Sequence, residues 1–134
     1  MFPSIRVAIV DDNPTVRMSL RSILKLEPRL TVVAEAENGS EAIAMVEKHR
    51  PDVVLMDIIM PVMNGIDATR IITSKFPSIR VIVYTIHSAE SFAAKAFKAG
   101  ACHFLTKGCS AEEILDEIGE CSPGAKDAKD ELFP

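Results

Sequence analysis

Asp52-Val53-Val54-Leu55-Met56-Asp57 decides the fold: four apolar residues in a row, closed at the far end by a carboxylate. A strand with one face in water alternates apolar and polar residues, whereas a strand covered on both faces reads as a continuous apolar run. Val53–Met56 therefore predicts a buried strand of a parallel sheet. Working outward, four further apolar runs stand at Ile5–Val10, Leu30–Ala36, Arg80–Tyr84 and Ala101–Leu105. Longer segments of helical period separate them, such as Val16, Leu20, Ile23 and Leu24 in the first and Ala42, Ile43, Met45 and Val46 in the second.

Strands and helices in regular alternation imply parallel strands joined by right-handed crossovers. The expected architecture is α/β, a (βα)5 doubly wound five-stranded sheet of order 2-1-3-4-5. Punctuation agrees with it. Asn13-Pro14 supplies an N-cap and a first-turn proline for helix 1, and Asn38 and Ser40 compete to cap helix 2, which Pro51 closes. Asn64-Gly65 opens helix 3, ending near Phe76-Pro77, and Ser88 or Ala89 starts helix 4. Gly100 stands where a C-cap glycine belongs, and Ser110 with Glu113 is a capping box for helix 5. Helix 4 carries Phe92 and Phe97, whose spacing assigns at least one to the core. From Ser122 the pattern stops, so residues 1–121 are read as one domain and 122–134 as a linker or flexible tail.

Composition narrows the function classes. The 134 residues are 48% apolar and 25% charged, a balance that can build one core. Net charge is −4 without runs of like sign, which excludes a strong nucleic-acid surface on this chain. No apolar run is long enough to span a bilayer and residues 1–6 lack a signal-peptide pattern, so a cytoplasmic protein without membrane contact is expected. Cys102, Cys109 and Cys121 are odd in number and show no C-x-x-C spacing; idle thiols in a reducing compartment are the expectation, not a disulfide framework or a zinc site.

In a doubly wound sheet, ligands bind beyond the carboxyl ends of the strands, near the switch point between strands 1 and 3. Strand 1 ends in Asp11-Asp12, strand 3 in Asp57 and strand 4 in Thr85, while strand 5 runs into Lys107. Singly, Asp11 or Asp12 could cap helix 1, Thr85 could be an ordinary β-branched strand residue, and Lys107 a surface lysine. Asp57 is harder to explain that way, because a carboxylate closing a buried strand is costly unless paired. Grouped carboxylates at roughly 4 Å repel by several kcal/mol per pair at intermediate dielectric, so such a cluster takes up protons or a cation. A few oxygen ligands with room for water and phosphate suit Mg²⁺. Carboxylate, Mg²⁺, ammonium and hydroxyl together make a phosphoryl-transfer site in which Asp57 can be the nucleophile.

The chain resembles the response-regulator receiver family (CheY-like, of flavodoxin-like topology) from about Ile5 to Cys121. The motifs are Val10-Asp11-Asp12-Asn13, Leu55-Met56-Asp57-Ile58-Ile59-Met60-Pro61-Val62-Met63-Asn64-Gly65, Tyr84-Thr85 and Gly100 to Gly108. Asn64-Gly65-Ile66-Asp67-Ala68-Thr69-Arg70 is most similar to the NarL/FixJ/LuxR-type subfamily. The resemblance implies that Asp57 accepts a phosphoryl group from a sensor histidine kinase. It implies Mg²⁺ held directly by Asp12, Asp57 and the Ile59 backbone carbonyl, with Asp11 acting largely through water. Lys107 and Thr85 are implied as phosphate contacts, and Phe104 as the aromatic switch. It further implies a signalling protein rather than an enzyme, homodimer formation on phosphorylation, and a C-terminal helix-turn-helix domain beyond this chain through which the full-length protein binds DNA.

The chain departs from the common family pattern at four positions. Gly108 replaces the frequent proline after Lys107, Phe104 replaces tyrosine, and Ile59 and His87 occupy positions that influence hydrolysis of the acyl phosphate. An apolar Ile59 predicts a long-lived phosphoryl form. Other readings compete with this one. A haloacid-dehalogenase-type phosphatase needs D-x-D-x-T on strand 1, where Asp11-Asp12-Asn13-Pro14-Thr15 does not fit. A stand-alone receiver acting as a phosphorelay or interaction module shares the fold and differs in having no output domain.

Overall fold

The computed structural model describes residues 4–86 and 90–121. The elements are β1 (Ile5–Val10), α1 (Pro14–Leu24), β2 (Leu30–Ala36), α2 (Gly39–His49), β3 (Val53–Met56), α3 (Gly65–Lys75), β4 (Arg80–Thr85), α4 (Glu90–Lys98), β5 (His103–Thr106) and α5 (Ala111–Cys121). All strand pairs are parallel and the sheet order is β2-β1-β3-β4-β5, as the alternation predicts.

Successive strand residues feed opposite faces. Val7 and Ile9 of β1 and Val53 and Leu55 of β3 pack with Leu20 and Leu24 of α1 and Ile114 and Ile118 of α5. Ala8, Val10, Val54 and Met56 pack on the other side with Ala42 and Val46 of α2 and Ile72 of α3. None of these eight strand residues is more than 1% exposed, which is why the run at Val53 carries no polar alternation. Each larger aliphatic side chain so buried contributes about 1.5–3 kcal/mol. β1 and β3 thus form a stiff platform, and the loops leaving their C-terminal ends inherit fixed starting points.

Local capping follows the sequence with one choice resolved. Asn13 accepts from the Thr15 and Val16 N–H groups, with Pro14 in the first helical turn. Asn38, not Ser40, caps α2 by accepting from the Glu41 N–H at 2.9 Å. Asn64 caps α3 through the Asp67 N–H at 2.9 Å, and Ser110 accepts the Glu113 N–H at 3.1 Å. Gly100 has φ +108°, and the N–H groups of Gly100 and Ala101 donate back to Phe97 and Ala96. That arrangement is a Schellman-type stop. It explains why β5 begins at His103 and not at Ala101: Ala101 is part of the α4 cap. The expected start of α4 at Ser88 or Ala89, the position of His87 and the expected tail from Ser122 lie outside the described residues. Phe92 packs against the core, whereas Phe97 is half exposed. Among the described residues, no helix is long and apolar enough to cross a membrane.

The reading of the cysteines is corrected. Cys102 and Cys121 are paired as a disulfide with their Cα atoms 6.3 Å apart, and Cys109 is the free cysteine. Sequence spacing could not show this, because the pairing depends on return geometry. β5 has four residues, about 13 Å of strand, and α5 runs back over eleven, about 16 Å of helix. The end of α5 therefore arrives beside the residue that precedes β5.

Candidate functional site

The platform delivers its polar residues to one edge. Asp11 and Asp12 follow β1, Asp57 follows β3, Thr85 ends β4 and Lys107 follows β5. Backbone bonds carry the ladder one residue past the strands. The Asp11 N–H donates to the Ala36 carbonyl at 3.1 Å, the Asp57 N–H to Val10 at 3.0 Å and the Lys107 N–H to Thr85 at 2.7 Å. Side-chain directions at these positions are thereby set by the sheet and not by loop freedom.

Asp11, Asp12 and Asp57 each bring a carboxylate oxygen within 4.8 Å of the others. Asp11 and Asp57 are buried while Asp12 is exposed. The Lys107 ammonium bridges the buried pair, 2.6 Å from Asp11 Oδ2 and 3.2 Å from Asp57 Oδ2. The remaining oxygens are partnered by backbone: Asp11 Oδ1 accepts from the Asn13 N–H at 2.9 Å and Asp57 Oδ1 from the Ile58 N–H at 2.8 Å. Arg17 Nη1 donates to the Asp11 carbonyl at 2.6 Å, and Arg17 is itself paired with Glu35. A cleft of about 270 Å³ opens over the group, lined by Asp12, Asn13, Ile59 and Ile86 among others. It is below the usual size for a drug-sized ligand and suits a phosphoryl group with an ion.

One ammonium does not balance three carboxylates. Burial, and then the Asp11 charge, push the Asp57 carboxyl above the ordinary range, with Lys107 and the Ile58 N–H pulling the other way. For Lys107, burial disfavours the charged form, but the Asp11 hydrogen bond and the charges of Asp57 and Asp11 outweigh it and hold the amine above its usual value. The donor set, all oxygen and carrying excess negative charge, fits a hard divalent cation such as Mg²⁺. Thr85 is fully buried and Phe104 is half-buried against the core face that includes Val83, its partner in register on β4. Ile59 is 53% exposed at the mouth. The Lys107–Gly108 peptide bond is trans, and a Cβ at Gly108 would meet no atom within 4 Å.

Ile86, 68% exposed and lining the cleft, was not singled out by its residue type. Its signal was positional: it directly follows Thr85. Arg17 was also missed, because neither the cap nor the apolar spacing of helix 1 signals its return to the Asp11 carbonyl.

A stability consequence follows from the raised Asp57 pKa. The folded chain holds the proton more tightly than the unfolded one, so stability falls as pH rises from the ordinary carboxylate range through the folded pKa of Asp57. Without divalent cation at neutral pH, Asp57→Asn is expected to melt roughly 3–6 °C higher than wild type, as about 1 kcal/mol would produce at this size. Mg²⁺ at ten times its dissociation constant should raise the wild-type melting temperature by a similar amount, about 1.4 kcal/mol, and the variant's by less. Thermal melts across pH, with and without Mg²⁺, check both; an equal Mg²⁺ shift in the two proteins removes Asp57 from the metal site.

Comparisons with known proteins bear on the family and the fold. The family model for the response regulator receiver domain matches residues 7–119. Transcriptional regulatory protein DegU of Brevibacillus brevis is 38% identical over 120 residues, covering 90% of this chain and 51% of that protein. A protein-glutamate methylesterase/protein-glutamine glutaminase of Pyrococcus abyssi is 44% identical over 121 residues, covering 85% of this chain and 33% of that protein. The chain thus spans about half or less of the length of these curated relatives. Among solved structures, a LuxR-family two-component response regulator from Aurantimonas sp. superposes with a TM-score of 0.84 at 33% identity, covering 96% of this chain and 99% of that one.

Proposed function

The chain belongs to the response regulator receiver family, and from that premise we propose that it accepts a phosphoryl group on Asp57 from a phosphohistidine of a sensor histidine kinase. The observation that carries this reading is the desolvated Asp57 carboxylate, 3.2 Å from Lys107 and clustered with Asp11 and Asp12. Burial strips water from the nucleophile, and the ammonium stands ready for the charge of the incoming group.

Asp57 attacks phosphorus as the bond to the imidazole nitrogen breaks, and the bond's electron pair stays with the imidazole, which is then neutral or takes up a proton from water. Asp12, Asp57 and the Ile59 backbone carbonyl are the proposed direct ligands of Mg²⁺, which when bound neutralises the acidic cluster and the phosphoryl oxygens. That Asp11 is the closer partner of the Lys107 ammonium, at 2.6 Å against 3.2 Å for Asp57, supports an indirect, water-mediated role for it. Lys107 is proposed to transfer its contact from the carboxylates to a phosphoryl oxygen. Thr85 turns its hydroxyl toward the phosphate, and Phe104 moves inward with it, so that the added charge shifts the balance between two packings.

Exposed Ile59 offers no hydrogen bond to an attacking water, which supports a long-lived acyl phosphate. Ile59→Asn should speed dephosphorylation on the order of tenfold, equivalent to about 1.4 kcal/mol of barrier. Loss of label from a purified phosphoryl form is the measurement, and an equal or slower rate in the variant sinks the idea.

Residues 1–121 are the proposed receiver and 122 onward the start of a linker. The LuxR-type and DegU-type relatives favour a DNA-binding output in the full-length, cytoplasmic protein, with homodimer formation on phosphorylation, and the chain itself as a non-enzymatic signalling unit. The methylesterase relative favours keeping a second reading, a receiver attached to or acting on something other than DNA. The gene sequence beyond Pro134 distinguishes them: a helix-turn-helix coding region supports the first, a stop codon or another domain the second.

A further inference from the structure

We infer that Cys102 and Cys121 form a reversible redox pair, a modification site for low-molecular-weight disulfides that staples β5 to the end of α5. The inference is separate from the phosphoryl site and does not depend on it. Three observations support it. The two Cα atoms lie 6.3 Å apart, within the span a disulfide bridges without moving the backbone. Cys102 is exposed, on the short connection between α4 and β5, so a small reagent reaches its sulfur, while Cys121 is 5% exposed and is reached only through its partner. The third cysteine is a poor competitor: burial and then the Glu113 charge push the Cys109 thiol above its ordinary pKa, which lowers its thiolate fraction.

The chemistry runs in two balanced exchanges. The Cys102 thiolate attacks one sulfur of the small disulfide, forming a mixed disulfide and releasing one thiolate. Cys121, having lost its proton, then attacks the Cys102 sulfur and expels the second thiolate. Two protein thiols and one small disulfide become one protein disulfide and two small thiols, and the reverse path reopens the bridge. In a reducing compartment an accessible bridge of this kind is transient and reports oxidation, whereas in an oxidising one it stays closed.

What the bridge encloses gives it consequence. The closed loop runs from Cys102 to Cys121 and contains Phe104, Lys107 and all of α5. His103 Nε2 and Glu117 Oε2, 3.2 Å apart, already hold strand and helix together midway. Closing the disulfide removes freedom from the unfolded chain and from fraying of the α5 end.

The test is thiol counting on the whole chain equilibrated in glutathione buffers from fully reduced to fully oxidised, then unfolded and alkylated. The expected result is three alkylated cysteines at the reduced end and only Cys109 at the oxidised end, with a Cys102–Cys121 cross-linked peptide by mass spectrometry. The closed form should melt about 10–20 °C higher, the shift expected for a loop of this length. It should also show slower amide exchange across β5 and α5. Cys109→Ser should give two thiols and none at the same ends, and Cys102→Ser, at an exposed position, should give two throughout. Three free thiols at every ratio, a glutathione adduct that stays on Cys102, disulfide-linked dimers, or equal amide exchange in the two forms would each overturn the inference.

Discussion

Incubated with a small acyl-phosphate donor and Mg²⁺, the Asp57→Ala variant is expected to take up no label, a loss of at least about a thousandfold relative to wild type and so more than about 4 kcal/mol of barrier. The size follows from covalent chemistry: the residue removed supplies the atom that bonds to phosphorus, and no neighbour can replace it. Asp11 is the nearest rival, but it lies deeper, 1% exposed against 7% for Asp57, and holds the Lys107 ammonium more tightly, at 2.6 Å against 3.2 Å. Asp12 is exposed and lacks the desolvation that distinguishes Asp57. Omitting Mg²⁺ from the wild-type reaction should also suppress labelling, because the acidic cluster then repels an anionic donor. Label that survives the substitution, or appears equally without metal, would reassign the site.

The largest structural effect is expected at Gly65. A Cβ there would collide with the backbone carbonyl oxygen of Asp57 and come within 2.9 Å of Met56 Cγ. The Gly65 N–H donates to the Ile58 carbonyl at 2.7 Å, so the start of α3 is tied tightly to the segment that carries the acceptor carboxylate. Neither wall can yield: β3 is packed on both faces, and α3 buries Ile66, Ala68 and Ile72. Gly65→Ala should therefore cost about 3 kcal/mol or more and displace Asp57 even in molecules that fold. Urea melts measure the first effect and acyl-phosphate labelling the second. Gly119→Ala is the matched control. Its Cβ meets nothing within 4 Å inside α5, and replacing a helical glycine there should stabilise by about 0.5–1 kcal/mol. A Gly65→Ala chain as stable as this control would remove the close-approach explanation.

The same loop holds a second constrained residue. Val62, at φ 69°, is a β-branched residue in left-handed backbone, followed by a Met63 N–H that donates to the Pro61 carbonyl at 2.7 Å. Such a conformation costs of order 1–3 kcal/mol and persists only where its surroundings enforce it. Here the Gly39 N–H donates to the Met63 carbonyl at 2.9 Å, anchoring the turn to the start of α2.

Much of the fold was legible because its signals are local. Continuous apolar runs, Asn13, Asn38 and Asn64 at helix starts, and Gly100 at a helix end report on neighbours within a few residues, which is the range over which backbone preference acts. The strand-edge residues Asp11, Asp57, Thr85 and Lys107 were legible for a different reason: parallel topology brings all strand ends to one edge, so order along the chain becomes proximity in space. Asn38 against Ser40 was not decidable, since either side chain can accept from a first-turn N–H until the strand before it fixes the approach.

By itself, the sequence determined the alternation, the sheet order and the set of carboxylates that meet, because burial periodicity and crossover handedness leave few other arrangements. Only the tertiary structure decided how that set is divided. Asp11 and Asp57 lie buried across one Lys107 ammonium, and Asp12 faces solvent. It alone set Gly65 against the Asp57 carbonyl and Cys121 against Cys102. These depend on ångström-scale distances between segments far apart in the chain, where packing of the two helical layers on the sheet, and not residue type, decides which atoms touch.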